Sequence, residues 1–169
     1  DLSKNYNDNA NYINDSIILK EYLDKQKTLI NWIKQKTGKN EISFELLFRK
    51  SQNGEKSTDF HKYCDNKGPT LSLIQTDKNF IIGGFTPLSF YNYEKGKEVY
   101  DSSNQTFIFS LNSMKKYDLI DPVKKRAIYN WKEYGPNFGN GNIRLNENLS
   151  KGESFTSFNC SFINDDSKE

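Results

Sequence analysis

The hydrophobic positions near the start of the chain repeat at helical spacing. Residues 1–14 are rich in Asn and Asp without periodicity, so we expect a linker or a disordered lead-in there. From Asp15 or Ser16, which can cap a helix, apolar residues recur three and four positions apart and fall mainly on one face. Gly38, after a lysine-rich turn, is typical of a helix end. The pattern predicts one amphipathic helix that packs on its own domain rather than on a membrane.

After this helix, the pattern changes to the alternation that is typical of β-strands. We predict strands at Phe44–Arg49, Thr70–Thr76 and Phe80–Thr86. The polar segment Asp77–Asn79 joins the last two strands, which should therefore form a hairpin. Between the first two strands, Ser57–Cys64 is predicted to form a short helix.

The rest of the chain alternates between short apolar runs and turn-forming residues. A polar, mobile loop is expected at Tyr91–Gln105. The strands predicted after it are Thr106–Leu111, Met114–Ile120, Ala127–Trp131, Ile143–Leu145, and a weak strand or two within Ser154–Ile163. About seven short strands with one substantial helix predict a mainly β (α+β) fold, a two-layer antiparallel β-sandwich with flanking helices. We expect residues 15–169 to form a single domain.

Composition and charge narrow the class of protein. The chain has 169 residues, of which 34% are hydrophobic, and a formal net charge of +2. The low net charge, together with 12 Phe and 10 Tyr, indicates a folded domain rather than a disordered one. It also argues against a nucleic-acid-binding protein, which would need a basic patch. No apolar stretch has membrane-spanning length and no signal sequence opens the chain, so we expect an intracellular, cytoplasmic protein. Because it begins with Asp rather than Met, we expect a fragment of a longer protein.

The histidine and the first cysteine are the candidates for chemistry. His61 is the only histidine, and Cys64 lies one helical turn after it. A His–Cys pair on one helix face is poorly aligned for catalysis, so packing and local hydrogen bonding are the better interpretation of His61. Lys62 and Lys67 would lower the pKa of the Cys64 thiol and Asp65 would raise it, and we favour a buried structural thiol. A thiol- or histidine-based antioxidant enzyme stays open as the alternative. One His and two distant Cys predict neither a metal site nor a disulfide framework.

Two glycine-rich stretches indicate close packing. Gly83 and Gly84 inside a strand predict a bulge, a bend or a close backbone approach. Residues 135–141 lack the Lys-Ser/Thr pair and the following helix of a phosphate-binding loop, so we interpret them as a turn whose glycines let Phe138 tuck under the sheet. A glycan-binding sandwich is a further alternative, in which Trp131 and Tyr134 would stack on sugars.

Seven short motifs are spread along most of the chain and occur in the same order as in a known protein family. The motifs are LINWI (Leu29–Ile33), LLFRKSQNG (Leu46–Gly54), FHKYCDNKGPTLSLI (Phe60–Ile74), IIGGFT (Ile81–Thr86), TFIFSL (Thr106–Leu111), AIY (Ala127–Tyr129) and YGPNFGNG (Tyr134–Gly141). Together they resemble the TLDc domain of eukaryotic oxidation-resistance proteins, in its protist and slime-mould form. The resemblance implies a sandwich of two antiparallel sheets with flanking helices and carries over no catalytic residues.

The resemblance also implies a function. It implies a non-catalytic protein-interaction domain that protects against oxidative stress and that, in several members, binds and regulates the vacuolar proton-pumping ATPase, without a cofactor. The residues expected to form its scaffold or interaction motif are Phe60, His61, Cys64, Gly68, Thr70, Gly83, Gly84, Gly135, Phe138 and Gly139. The family normally closes with a further strand, and only seven residues follow Phe162. We therefore expect this domain to lack the family's final strand.

Overall fold

The structure, a computed structural model, describes residues 12–149, 155–156 and 161–164. The chain divides into two compact units, Asp1–Leu46 and Leu47–Glu169. The helices are α1 (Leu23–Thr37), α2 (Lys50–Asn53) and α3 (Ser57–Cys64). The strands are β1 (Thr70–Gln75), β2 (Ile81–Thr86), β3 (Lys97–Val99), β4 (Phe107–Ser110), β5 (Lys115–Leu119), β6 (Ile128–Asn130), β7 (Asn137–Phe138), β8 (Ile143–Arg144), β9 (Phe155–Thr156) and β10 (Phe162–Asn164).

In the first unit, α1 begins later than the sequence predicts. Asp15 and Ser16 lie in a region of turns, and the Ser16 hydroxyl accepts a hydrogen bond from the Leu19 backbone N–H at 3.1 Å, so it caps a turn instead of the helix. The buried Gln26 side chain ties this region to α1, because it accepts from Ile13 N–H and donates to Leu19 O, both at 2.9 Å. The end is as predicted: Gly38 has φ 69° and donates its N–H to Lys34 O at 2.8 Å.

The second unit contains two antiparallel sheets. The first sheet has the strand order β1-β2-β4-β5-β10, and the second has the order β3-β6-β7-β8-β9. The predicted hairpin of β1 and β2 is confirmed, with registers from Thr70 opposite Thr86 to Gln75 opposite Ile81. The weak strand or two predicted within Ser154–Ile163 correspond to β9, which pairs with β8, and to β10, which pairs with β5 and extends to Asn164. The predicted mainly β sandwich is therefore the observed fold class.

The core lies where side chains from both sheets meet those of α3. Ile108 and Leu119 of the first sheet are buried with Ile128, Phe138 and Ile143 of the second. From the helix and the loop after β2, Phe60, Cys64 and Phe90 join the same cluster. Edge-to-face contacts connect these rings, with centroids 5.4 Å apart for Phe60 and Phe90 and 6.1 Å for Phe90 and Phe138.

The strand predicted at Phe44–Arg49 is wrong. Residues 41–49 have no regular secondary structure, and α2 begins at Lys50. The Arg49 backbone N–H, which a strand would offer to a neighbouring strand, donates to the Asn53 side chain at 2.7 Å. Phe48 packs against α3 instead, because its ring lies edge-to-face on Phe60 with centroids 5.9 Å apart.

The segment Tyr91–Gln105, which was predicted to be a loop, contains β3. This strand pairs with β6, with Lys97 opposite Asn130 and Val99 opposite Ile128. Two of its three residues are charged and exposed, so it lacks the apolar alternation that marks a strand in sequence. The rest of the segment remains polar and turn-rich, as expected.

Candidate functional site

Helix α3 carries three of the residues that the sequence singles out. Its buried residues are Ser57, Phe60, His61 and Cys64, which recur at the spacing of one helix face. The first turn is closed by the Lys56 backbone N–H, which donates to the Asp59 carboxylate at 3.0 Å. Ser57, predicted as a possible start of this helix, donates its hydroxyl hydrogen to Lys132 O at 2.8 Å. The helix is thus fastened to the loop between β6 and β7.

The His61 ring lies between a carboxylate and two backbone carbonyls. Its Nδ1 is 2.7 Å from Asp65 Oδ1, while its Nε2 is 3.1 Å from Trp131 O and 2.9 Å from Tyr134 O. The ring is 4% exposed. Because carbonyl oxygens only accept hydrogen bonds, Nε2 carries a proton and donates to this pair. Both ring nitrogens are thus engaged with oxygens of the described chain.

The contact between His61 and Asp65 needs a second proton. A lone pair on Nδ1 would face a carboxylate oxygen, which also only accepts, at hydrogen-bond distance. Either the ring or the Asp65 carboxyl therefore holds the additional proton in this arrangement. The ring therefore contacts Asp65 through one nitrogen and the loop at residues 131–134 through the other. In this way His61 holds α3 and the loop together.

Cys64 faces the core. It is 6% exposed and lies in the cluster between the sheets. Burial, and then the negative charge of Asp65, raise the pKa of the Cys64 thiol from an ordinary value of 9.0 to about 12. Nucleophilic and peroxide-reactive cysteines depend on the thiolate, so this environment disfavours reactivity. The predicted buried thiol is confirmed.

The two glycines of β2 occupy positions where neighbouring groups come very close. A Cβ on Gly84 would lie 2.7 Å from two carbons of the Phe138 ring. A Cβ on Gly83, on the other face of the strand, would clash with Ser72 O and with the Phe109 ring. The pairing of β2 with β1 and β4 continues through both positions, so the close-approach interpretation is correct and a bulge is not present in β2.

The remaining predicted positions also lie in the second unit. Gly139 has φ +61°, and a Cβ there would clash with the Asn142 side chain. Gly135 lies against Leu149, and the Gly68 N–H donates to the Ser89 hydroxyl at 3.3 Å. Thr70 opens β1 and is buried. Thr70, Gly135 and Gly139 are thus buried, whereas Gly68 is half-buried.

The rings proposed for glycan stacking pack on each other. Trp131 and Tyr134 are half-buried, with centroids 4.7 Å apart and planes at 78°. The Arg144 guanidinium lies over the Tyr134 ring, 5.0 Å from its centroid. Part of the surface of each ring is therefore used for packing within this cluster.

A cavity of about 520 Å³ lies away from these residues, at one end of the first sheet. We call it the hairpin-tip groove, because residues next to the β1–β2 and β4–β5 turns form it. Its lining consists of Thr76, Phe80, Ile82, Ser110, Asn112, Ser113 and Tyr117. Sequence reasoning missed the groove, although an aromatic residue directly after the turn Asp77–Asn79 is a signal that could have revealed it.

A family model described as the TLDc domain matches residues 12–168, nearly the whole chain. The chain belongs to the TLDc family. The resemblance drawn from the motifs is thereby confirmed, and the chain is an oxidation-resistance-family domain. A comparison with curated proteins finds no match.

Two further features bear on what this TLDc domain can do. Within the described residues, no helix is long and apolar enough to cross a membrane. In the same part of the chain, no three side chains of His, Cys, Asp or Glu are grouped so that they could hold a metal ion. The TLDc domain therefore offers two kinds of feature in its second unit: a tightly packed set of motif residues and the hairpin-tip groove.

Proposed function

We propose that this TLDc domain is a non-catalytic protein-interaction domain that protects against oxidative stress by binding and regulating the vacuolar proton-pumping ATPase. The observation that carries the proposal is the family match over residues 12–168. A cytoplasmic location is part of the proposal.

The surroundings of the candidate catalytic groups support the non-catalytic part of the proposal. Both nitrogens of His61 contact oxygens within hydrogen-bond distance. Cys64, with its pKa raised to about 12, holds very little thiolate near neutral pH. A general base needs a nitrogen within reach of a substrate proton, and a thiol antioxidant needs a thiolate. Protection through a partner protein requires neither an available histidine nitrogen nor a thiolate.

The proposed partner is tested by binding and by pump activity. A tagged form of the chain is used to capture proteins from a native lysate in the presence and absence of magnesium-ATP, beside an unrelated β-sandwich of similar size as bait. We expect enrichment of proton-pump subunits over the control bait. Adding the purified chain to pump-containing vesicles should then change ATP hydrolysis and proton uptake, and the sign of the change gives the regulatory direction. The pump proposal fails if neither enrichment nor any change in activity is seen.

The non-catalytic assignment has its own test. Peroxide consumption by the purified chain is compared with that of the Cys64→Ser and His61→Gln variants. We expect a rate indistinguishable from buffer for all three proteins. A rate that is clearly above buffer and is lost in either variant would make the domain an antioxidant enzyme instead.

A further inference from the structure

The hairpin-tip groove is an apolar surface next to exposed turns. Phe80 is 48% exposed, which is unusual for so large an apolar ring, and its neighbours Ile82 and Tyr117 extend the apolar lining. Local hydrogen bonds fix the backbone at this residue, since Phe80 N–H donates to the Thr76 hydroxyl at 3.1 Å and Thr76 N–H donates to Phe80 O at 2.9 Å. The exposed ring is thus attached to a hydrogen-bonded turn.

The groove is preformed because the two hairpins that build it are cross-linked. The Asn112 side chain accepts a hydrogen bond from Ile81 N–H at 2.6 Å and donates one to Asn79 O at 3.5 Å. Leu111 N–H also donates to Ile81 O at 2.8 Å. A surface that needs no ordering on binding loses less entropy than a mobile one.

The charges beside the groove favour an acidic partner. Lys115 lies directly opposite Ser110 in the ladder of β4 and β5, so its side chain is on the face that carries the groove. Lys78, in the β1–β2 turn, is exposed near the same end of the sheet, with Asp77 as the acidic residue beside it. The neighbouring Lys116 is directed to the opposite face and pairs with Asp118 at 2.5 Å. Among the described residues, the exposed side chains of Lys78, Lys115 and Asp77 place two positive charges and one negative charge at this end of the sheet.

We propose that the hairpin-tip groove binds an acidic segment of a partner protein, which inserts one bulky apolar side chain between Phe80, Ile82 and Tyr117. The half-exposed Phe80 ring favours a macromolecular segment, since a small-molecule pocket encloses most of its ligand. An aromatic ring at the centre of a contact, with charges at the rim, is the common arrangement of a protein-binding hot spot. The inference deepens the proposed function and rests on the domain being an interaction module.

The test uses two labelled peptides of opposite charge and the same apolar centre, EDWLED and KRWLKR, with fluorescence anisotropy as readout. We expect the whole chain to bind EDWLED at least ~10-fold more tightly than KRWLKR at low salt, with the difference shrinking as salt is added. The Phe80→Ser variant should weaken EDWLED binding by ~10-fold or more, and Lys115→Glu by ~3- to 10-fold. Matched controls on another surface are Val123→Ser, at a residue that is 72% exposed, and Lys124→Glu, and both should bind within about twofold of the parent.

Several outcomes would overturn the inference. The inference is wrong if EDWLED does not bind, or if the parent binds it no more tightly than the Phe80→Ser variant does. It is also wrong if the parent binds the two peptides equally. Sedimentation of the parent and of Phe80→Ser, without peptide, tests whether a second copy of the chain occupies the groove. A dimer that is lost in the variant would assign the groove to self-association.

Failure of this inference is distinguishable from failure of the proposed function. If Phe80→Ser still captures pump subunits, the groove is not their docking site but the interaction module stands; if EDWLED binds and pump subunits are not captured, only the pump is excluded.

Discussion

The ring of Phe138 occupies the space in which a side chain at Gly84 would have to lie. Gly84 is in the first sheet and Phe138 is in the second, and a Cβ on Gly84 would be 2.7 Å from two ring carbons. An aromatic ring inside a packed core cannot move aside as a flexible chain end could. The lack of a side chain at Gly84 therefore allows the two sheets to approach closely at this point. The same contact joins the IIGGFT motif, which contains Gly84, to the YGPNFGNG motif, which contains Phe138.

This relationship predicts that Gly84→Ala destabilises the chain by about 1–3 kcal/mol through overpacking. The measurement is the free energy of unfolding from denaturant titration. A double-mutant cycle with Phe138→Leu is the control, because a smaller side chain relieves the clash. We expect the double variant to be more stable than the sum of the single effects by at least ~0.5 kcal/mol. Additive effects would show that the two positions do not interact.

The regular parts of the sheets follow from local sequence rules. Alternation in Thr70–Thr76 and Phe80–Thr86, with a polar turn between them, predicts the β1–β2 hairpin, and its register agrees. Gly38 likewise marks the end of α1. Short strands whose residues are charged, such as Lys97–Val99, carry no such signal, because neighbouring strands and not their own side chains determine the pairing.

The surroundings of the candidate residues were predicted less completely. Burial of Cys64 follows from its place on an apolar helix face. The two carbonyl partners of His61 lie 70 and 73 residues further along the chain, in an irregular loop, and no local pattern indicates them. At Phe48 the sequence indicated a structure that is not present. Alternation alone predicted a strand there, but the residue is in an irregular segment and its ring packs on Phe60. Contacts between distant, irregular segments are what a single sequence leaves undetermined.

Asp101 is predicted to stabilise the fold in a pH-dependent manner. The residue is 2% exposed, and its carboxylate accepts hydrogen bonds from the hydroxyls and backbone N–H groups of Ser103 and Thr106. Burial, the largest single influence, raises its pKa, but these hydrogen bonds together outweigh it and lower the pKa below the ordinary 3.8. In Asp101→Asn, an amide N–H would face hydrogen-bond donors. We expect a loss of about 1–3 kcal/mol at pH 7, measured by denaturant unfolding.

The sign of the pH effect follows from the lowered pKa. The stabilisation by the Asp101 carboxylate is fully present above pH ~4, where the unfolded chain is also ionised, and it is lost as the pH falls through the lower pKa of the folded state. The difference between parent and Asp101→Asn should therefore shrink below pH ~4. Asp77→Asn, at an exposed turn, is the matched control for the loss at pH 7, and its unfolding free energy should stay within about 0.5 kcal/mol of that of the parent. A difference that is constant with pH would contradict the role of the charge.

Cys64 is predicted to resist alkylation. With a pKa of about 12 instead of 9.0, its thiolate fraction at pH 8 is lower by a factor of ~1000 than in the unfolded chain. Iodoacetamide labelling at pH 8, located by peptide mass mapping so that Cys160 is counted separately, should be at least ~100-fold slower at Cys64 in the folded chain than in urea. Comparable rates in both states would mean that the thiol is accessible and ionised, and would restore the antioxidant hypothesis.

The last prediction concerns the link that His61 makes between α3 and the β6–β7 loop. Asp65→Asn and His61→Gln each leave polar groups of the buried contact without suitable partners, so we expect losses of about 1–3 kcal/mol in unfolding free energy. Lys62→Gln, at an exposed position of the same helix, is the matched control. Because the ring binds Trp131 O and Tyr134 O, the loss of the ring should also change the fluorescence of Trp131 in a Trp32→Phe background, whereas Lys62→Gln should not.

Nitrogen chemical shifts of the His61 ring separate the two locations of the second proton. Protonated-type shifts at both Nδ1 and Nε2 would place it on the ring, and an unprotonated Nδ1 would place it on the Asp65 carboxyl. In either case, Asp65→Asn should change the Nδ1 shift, because the contact of 2.7 Å is altered. Unchanged shifts and unchanged stability in that variant would refute the contact between His61 and Asp65.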